Sequence, residues 1–533
     1  MNAADLLVAC LEREGVEHVF GLPGEETEDL LFSLSASDIE FVPVRHEQGA
    51  AFMADVHGRL TGEAGVCLST LGPGATNLLT GVADAHLDKS PLVAITGQGG
   101  LERLHKESHQ LLDVVGMFRP VTKWNTRLDD PDVVHESVRK AFKVAEYEKP
   151  GATHLELPED VAATETAVEP LPARERVRPA GPSDAATSRV EGLLAEAERP
   201  LVIAGNGAVR ANAAAELRRL VDATDVPVAS TYMGKGAVSD ADPHSLMTLD
   251  SGDHDEAATA IADADLVLAV GYDIAEHDPA SWRREGDSTV VHVDSEPAEV
   301  YEAYNPDVEV VADIEATLSA LADWAIDAGV AFAPDWYADL RAHIVEDVDR
   351  EPGPEAPFAV RDVLPVLREA MTAEDVLVSD VGSHKMAIAQ NFPTYEPNTV
   401  IISNGLASMG IAVPGALAAD LAVASNVVAA TGDGGFLMNA AELETATRVG
   451  CGFTVVLFVD DDYGLISQKQ RDHRGAAFGT RISNPEFVAF AESFGVQARR
   501  PTTREDLLEA LSWAVESGEM ALVEVPVVGT VGA

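Results

Sequence analysis

The chain of 533 residues carries 89 Asp and Glu against 37 Lys and Arg, a formal net charge of −52, and 46% of its residues are hydrophobic. That apolar content fills packed cores in about three domains and excludes a globally disordered chain. The acidity excludes nucleic acid, whose phosphates need clustered cations, and also excludes docking on anionic membranes. Acidic residues run through the whole chain and Lys is scarcer than Arg. This pattern predicts a halophilic protein, soluble in a salt-rich medium that screens self-repulsion to about 3 Å at 1 M salt. Only Cys10, Cys67 and Cys451 occur, with neither metal spacing nor a disulfide framework, as expected in a reducing cytosol. The N-terminal stretch reads as an amphipathic helix without a basic region or a cleavage site, and no run of about 18 apolar residues occurs. The expectation is a cytoplasmic protein.

Proline and charge clusters at 169–184 and 346–357 read as linkers. They predict three domains, at 1–168, 185–330 and 358–533. In the first, VEHVFGLPG (16–24), IEFVPVRHE (39–47), AGVCLSTLGPG (64–74) and PLVAITGQ (91–98) read as strands with loops at their ends. In the second, RPLVIAGNGA (199–208), DLVLAVGYD (265–273) and STVVHVDSEP (288–297) do the same. The third holds DVLVSDVGSH (375–384), NVVAATGDGG (426–435) and FTVVLFVDDD (453–462). Apolar strands alternating with amphipathic stretches predict an α/β fold of three parallel sheets. Ligands are then expected just beyond the carboxyl ends of the strands.

The sharpest signal is Gly432-Asp433-Gly434-Gly435, between a strand and a helix read as FLMNAAELETATRVG (436–450). Glycines let a backbone approach a phosphate, and a helix start offers free N–H donors. A lone GDGG is equally an ordinary turn. However, Asp460 follows 27 residues later at the end of the next apolar run, in Asp460-Asp461-Asp462-Tyr463. Two carboxylates on consecutive strands suit octahedral Mg²⁺ together with a carbonyl and diphosphate oxygens. Glu47 opens a helix after the 39–44 strand, which alone suits any acid at a helix N-terminus.

These motifs resemble the thiamine-diphosphate-dependent enzymes, over about residues 5 to 527. The resemblance implies the pyruvate oxidase and decarboxylase type of three-domain fold, with thiamine diphosphate and Mg²⁺ as cofactors. It makes Asp433, Asp460 and the Asp462 carbonyl the metal ligands, although Val459 departs from the family's usual Asn. Gly432, Gly434, Gly435 and Tyr463 would line the diphosphate, with Gly382, Ser383 and His384 as a second contact. In RHEQGAAFMA (45–54), Glu47 would hydrogen-bond the aminopyrimidine and promote its imino form. Pro73 and Asn77 belong to the GPGATN loop on the pyrimidine side, and Gly405 and Met409 to the loop beneath the cofactor. Met409 would wedge its bent form, although a lone Met more often fills a core.

Within that family four stretches resemble acetolactate synthase, particularly the flavin-independent catabolic form: 45–62, 102–124, 267–300 and 382–414. The implied reaction decarboxylates pyruvate and ligates the remaining two-carbon unit to a second pyruvate. The products are 2-acetolactate and CO₂. Gly205-Asn206-Gly207 is no full GxGxxG, and the 271–282 segment lacks the Arg of flavin-binding forms, so FAD is not expected. His109 and Gln110 would face the substrate, where pyruvate decarboxylases carry a His-His pair. Lys469 stands where Gln or Trp is usual: it would bind a pyruvate carboxylate, or it is a solvated basic patch. A homodimer or homotetramer is implied, with sites shared between subunits. The resemblance leaves open a regulatory small subunit, both the acetoin-forming and the branched-chain biosynthetic pathway, another carboligase or decarboxylase, and a flavin-binding synthase.

Overall fold

The computed structural model describes residues 1–249, 256–283 and 288–528. Part of the 267–300 stretch, residues 284–287, and the end of the third predicted domain, 529–533, lie outside them.

Three six-stranded sheets, each entirely parallel, follow one another along the chain. In spatial order the first consists of Glu40–Pro43, His18–Gly21, Gly65–Ser69, Leu92–Gln98, Ala152–Pro158 and Trp124–Arg127. The second runs Val308–Val311, Thr289–Asp294, Leu266–Val270, Pro200–Ala204, Val228–Ser230 and Ser245–Thr248. The third runs Val400–Ile402, Val376–Ser379, Val427–Gly432, Thr454–Val459, Ala521–Pro526 and Gln497–Arg499. Helices cover both faces, and the apolar runs of central strands such as Leu92–Gln98 and Pro200–Ala204 are buried throughout. The fold is therefore α/β, as expected.

Each sheet starts at an inner strand and adds later strands first to one side and then to the other. This leaves a crevice between Val19–Gly21 and Gly65–Ser69, between Pro200–Ala204 and Leu266–Val270, and between Val376–Ser379 and Val427–Gly432. Such switch points are where open α/β sheets bind ligands.

The first and third sheets share one hydrophobic core. Phe52, Met53 and Val56 of the helix Glu47–Thr61 pack in the same cluster as Ala412, Val413 and Ala416 of the helix Ala412–Ala422. All six are buried, and each larger side chain contributes about 1.5–3 kcal/mol relative to exposure. The second sheet has two cores of its own, drawn from residues between Val190 and Tyr337.

Two local expectations are corrected. The single helix over 436–450 is two helices, Asp433–Asn439 and Glu442–Val449, with Gly434 and Gly435 inside the first and Gly432 ending the strand before it. Side chains at the break are drawn to different partners: Asn439 Nδ2 donates to the Gly410 carbonyl at 2.7 Å, and the Glu442 carboxylate accepts the Arg45 and His46 N–H groups. The segment 346–357, expected as linker, begins within the helix Ala338–Val348. That helix stays ordered because Tyr337, Leu340 and Ile344 pack on the core containing Tyr272, Trp282 and Tyr304.

Candidate active site

The third sheet's crevice opens into a cavity of about 250 Å³ lined only by residues between Val360 and Val527. It brings together Gly382, Ser383, His384, Met409, Gly432, Asp433, Gly434, Gly435, Asp460, Asp462 and Tyr463. The register explains why. Gly432 pairs with Phe458 on the neighbouring strand, so Asp433 and Asp460 leave adjacent strands at nearly the same height.

Asp433 Oδ1 accepts the Gly434 N–H at 2.9 Å, and its Oδ2 accepts the Asp461 N–H at 2.9 Å and Asn484 Nδ2 at 2.7 Å. Burial and the Asp433 charge push Asp460 up to about 6. Burial also raises Asp433, and two partly desolvated carboxylates side by side are the state a divalent cation relieves. The Asp462 carboxylate instead faces Arg471 at 3.4 Å and Arg481 at 4.0 Å. Among the described residues no group of three or more His, Cys, Asp or Glu side chains is arranged to hold a metal. A cation here therefore needs oxygens from elsewhere, such as a carbonyl and a diphosphate, which fits the donor set expected.

The other wall is neutral. Burial holds the His384 imidazole down at about 4, so it is uncharged at neutral pH, and its ring stacks on Phe458 with centroids 5.9 Å apart. Its Nε2 is buried without a protein hydrogen-bond partner. At Gly434 a Cβ would lie 2.7 Å from the Tyr463 ring and 3.5 Å from Met409 Cε, so the absence of a side chain keeps the cavity open. These features fit an anionic phosphate group lying on the helix start.

The remaining candidates lie outside the cavity. Glu47 is 6% exposed at the first turn of its helix, and its Oε2 accepts Asn77 Nδ2 at 3.0 Å. Asn77 and the exposed Pro73 belong to the helix Pro73–Leu87 after the first sheet's Gly65–Ser69 strand. His109 and Gln110 are exposed on the 101–113 loop, where Gln110 lies against Gly72 (φ +52°). Gly405 is exposed, and Asp88 accepts its N–H. Lys469 is exposed on the helix Gly464–Arg474.

Sequence reasoning missed three groups. Asp380 is buried behind Gly435 and accepts the Gly410 N–H at 2.8 Å and Thr431 Oγ1 at 3.0 Å. Glu442 fixes the backbone just before Glu47, its Oε1 accepting the Arg45 and His46 N–H groups at 3.0 Å each. Glu276 fills the crevice of the second sheet: it accepts the Asn206 N–H at 2.9 Å, the Asp273 N–H at 3.2 Å and Thr231 Oγ1 at 2.5 Å. Burial pushes it up to about 8.

The comparisons with known proteins agree with the three-sheet fold. Residues 1–117 match the N-terminal TPP binding domain of thiamine pyrophosphate enzymes, 187–321 their central domain and 380–525 their C-terminal TPP binding domain. The chain belongs to the thiamine pyrophosphate enzyme family. It is 33% identical to a probable acetolactate synthase large subunit of Methanocaldococcus jannaschii, over 98% of this chain and 92% of the relative. It is 32% identical to an acetolactate synthase of Bacillus subtilis, over 99% and 93%. It is 34% identical to a catabolic acetolactate synthase of Raoultella terrigena, over 99% and 95%. It is a thiamine-diphosphate-dependent enzyme of the acetolactate synthase type. Among the described residues no helix is long and apolar enough to cross a membrane.

Proposed function

We propose that the protein is an acetolactate synthase, converting two pyruvates into 2-acetolactate and CO₂. The observation that carries this reading is the meeting of Asp433 and Asp460 with His384, Gly434 and Met409 in one switch-point cavity. Asp433, Asp460 and the Asp462 carbonyl would hold Mg²⁺, which would supply the positive charge that a diphosphate needs. Gly382, Ser383, His384, Gly432, Gly434, Gly435 and Tyr463 line the diphosphate, and Met409 supports the reacting end from the 403–410 loop, which also holds Gly405. Pro73 and Asn77 flank the pyrimidine. When bound, the cofactor supplies the electron sink for loss of CO₂.

Glu47, oriented by Asn77, would hydrogen-bond the aminopyrimidine and favour the tautomer that accepts a proton. His109, Gln110 and Lys469 orient pyruvate. Because the cavity takes its lining from 360–527 alone, Glu47 and Gln110 of a second copy complete it, making a homodimer or homotetramer the working unit. A regulatory small subunit is compatible with this arrangement. The Glu276 carboxylate already occupies the helix start where a dinucleotide phosphate would sit in the second sheet. This supports the flavin-independent, catabolic type.

The test is turnover of pyruvate in high KCl with thiamine diphosphate and Mg²⁺, scored for acetolactate or acetaldehyde, alongside a visible spectrum. Acetolactate without a flavin band is expected. Glu47→Gln should lower turnover about 10²–10⁴-fold. Acetaldehyde as the main product replaces the synthase with a decarboxylase, and a stoichiometric flavin band overturns the flavin-independent assignment.

A further inference from the structure

The 403–410 loop, which carries Met409, is held by the first domain of the same chain. Asp84 Oδ1 accepts Ser403 Oγ at 2.8 Å and the Ser408 N–H at 3.4 Å. Asp88 accepts the Asn404 N–H on Oδ2 at 3.0 Å and the Gly405 N–H on Oδ1. Arg59 Nη1 donates to the Ile402 carbonyl at 2.8 Å, at the point where the strand enters the loop. The same guanidinium pairs with Asp55 at 2.9 Å, Asp88 at 2.6 Å and Asp84 at 3.6 Å. Lys385, next to His384, donates to Asn404 Oδ1 at 3.2 Å. At the far end Gly410 is clamped by Asp380 and Asn439.

This cluster is deeply buried: Asp55 and Asp84 are 0% exposed and Asp88 2%. Desolvating three carboxylates is costly, and a hydrophobic cluster would hold two domains together at lower cost. The carboxylates do what apolar side chains cannot, because they fix individual N–H groups of a loop that has no sheet ladder of its own. None of Asp55, Arg59, Asp84 and Asp88 lines the cavity.

We propose that Asp84 and Asp88, held by Arg59 and Asp55, are positioning residues that fix the 403–410 loop and through it the place of Met409 in the cavity. The inference rests on the cofactor assignment above. It separates two properties of the site. The diphosphate and metal are held by residues that the cluster does not touch, whereas Met409 depends on it.

The experiment compares wild type with Asp88→Asn, Ser403→Ala, Met409→Ala and the double variant Asp88→Asn/Met409→Ala. Each is saturated with thiamine diphosphate and Mg²⁺. Equilibrium dialysis gives cofactor affinity, and quenched NMR gives the exchange rate of the cofactor's C2 proton. Asp88→Asn places an amide NH₂ against loop N–H groups. It should slow exchange about 10²-fold, the cost of a misplacement on the order of 1 Å, while affinity is unchanged. Ser403→Ala removes one loop contact without altering a buried charge, so it covers the case in which Asp88→Asn fails to fold. It should slow exchange less, again at constant affinity. The double variant should exchange no more slowly than Met409→Ala alone, because both changes act through one side chain.

Exchange at the wild-type rate in folded Asp88→Asn overturns the inference. If that variant does not fold, wild-type exchange in Ser403→Ala overturns it. Full additivity with Met409→Ala also overturns it, as does an affinity loss parallel to the rate loss. Failure of wild type to bind thiamine diphosphate would instead remove the cofactor assignment itself.

Discussion

Gly434 shows how little space the cavity has to spare. A Cβ there would meet the Tyr463 ring at 2.7 Å, well inside ordinary contact, with Met409 Cε close behind. The residue sits in the helix Asp433–Asn439, where Ala is the better helix former by about 1 kcal/mol. Gly434→Ala should therefore leave the melting temperature unchanged or slightly raised. Tyr463 and Met409 would be displaced, and pyruvate turnover should fall about 10²-fold. Calorimetry beside a turnover assay checks both halves of this expectation. Lost stability together with lost activity would mean that Gly434 serves the fold rather than the cavity.

At the scale of elements, the strands Leu92–Gln98 and Ala152–Pro158 carry a proton-linked strut. Gln98 Nε2 donates to Glu156 Oε1 at 2.8 Å and to the Leu112 carbonyl at 3.2 Å, tying the sheet to the loop that bears His109 and Gln110. Burial pushes Glu156 up to about 7, against the Gln98 hydrogen bond and Arg127, with Asp113 and Asp129 adding to the rise. Between its ordinary 4.5 and about 7 the folded chain holds this proton and the unfolded chain has released it. Stability therefore falls as pH rises through that window, by on the order of 3 kcal/mol. Glu156→Gln should flatten the decline, as read from denaturant midpoints at acid and neutral pH. An unchanged slope in the variant would assign the decline to other groups.

The same strand explains what was legible in the sequence. Runs such as 92–95, 200–204 and 455–459 are uninterrupted and apolar, and each lies in a strand. Ala152–Pro158 and Ala521–Pro526 are as deeply placed, yet His154, Glu156 and Glu524 break the apolar pattern while being buried. Val228–Ser230, Val400–Ile402 and Gln497–Arg499 have three residues each, too short for a periodic signal. The part of the cavity at 432–435 and 460–463 was legible because those residues form two short motifs on consecutive strands, whereas Gly382, Ser383, His384 and Met409 were placed there by family resemblance alone. Asp84, Asp88, Asp380, Glu276 and Glu442 were not, because in a chain with 89 carboxylates a single acid carries no local signal. Their partners are also remote: Asp88 lies 316 residues from Asn404, and Glu442 lies 397 from Arg45.

For the whole molecule the net charge of −52 sets the conditions under which the fold holds. At about 0.1 M salt the Debye length is about 10 Å, so neighbouring surface carboxylates repel one another; at 1 M it is about 3 Å and they do so far less. Thermal unfolding should therefore move to higher temperature from low to multimolar KCl. A flat response would mean that local ion pairs such as Arg174 with Glu14 and Glu146 already balance the surface. The field also opposes the approach of pyruvate, the anionic substrate proposed above, so turnover should rise with salt before any loss from screening of local cations.

The separate cores of the second sheet have a consequence for how such a chain can diversify. The first and third sheets must change together, since an altered side chain on either side of their common seam is felt by both halves of the chemistry. The second sheet is a cassette inserted between them, with two cores built on its own residues and Tyr232 reaching into the core of the third sheet. Its crevice, closed here by Glu276, meets that seam through hydrogen bonds, Asn206 Nδ2 donating to the Asp88 carbonyl and Asn404 Nδ2 to the Ala275 and Glu276 carbonyls, so a new ligand there has to leave those bonds in place.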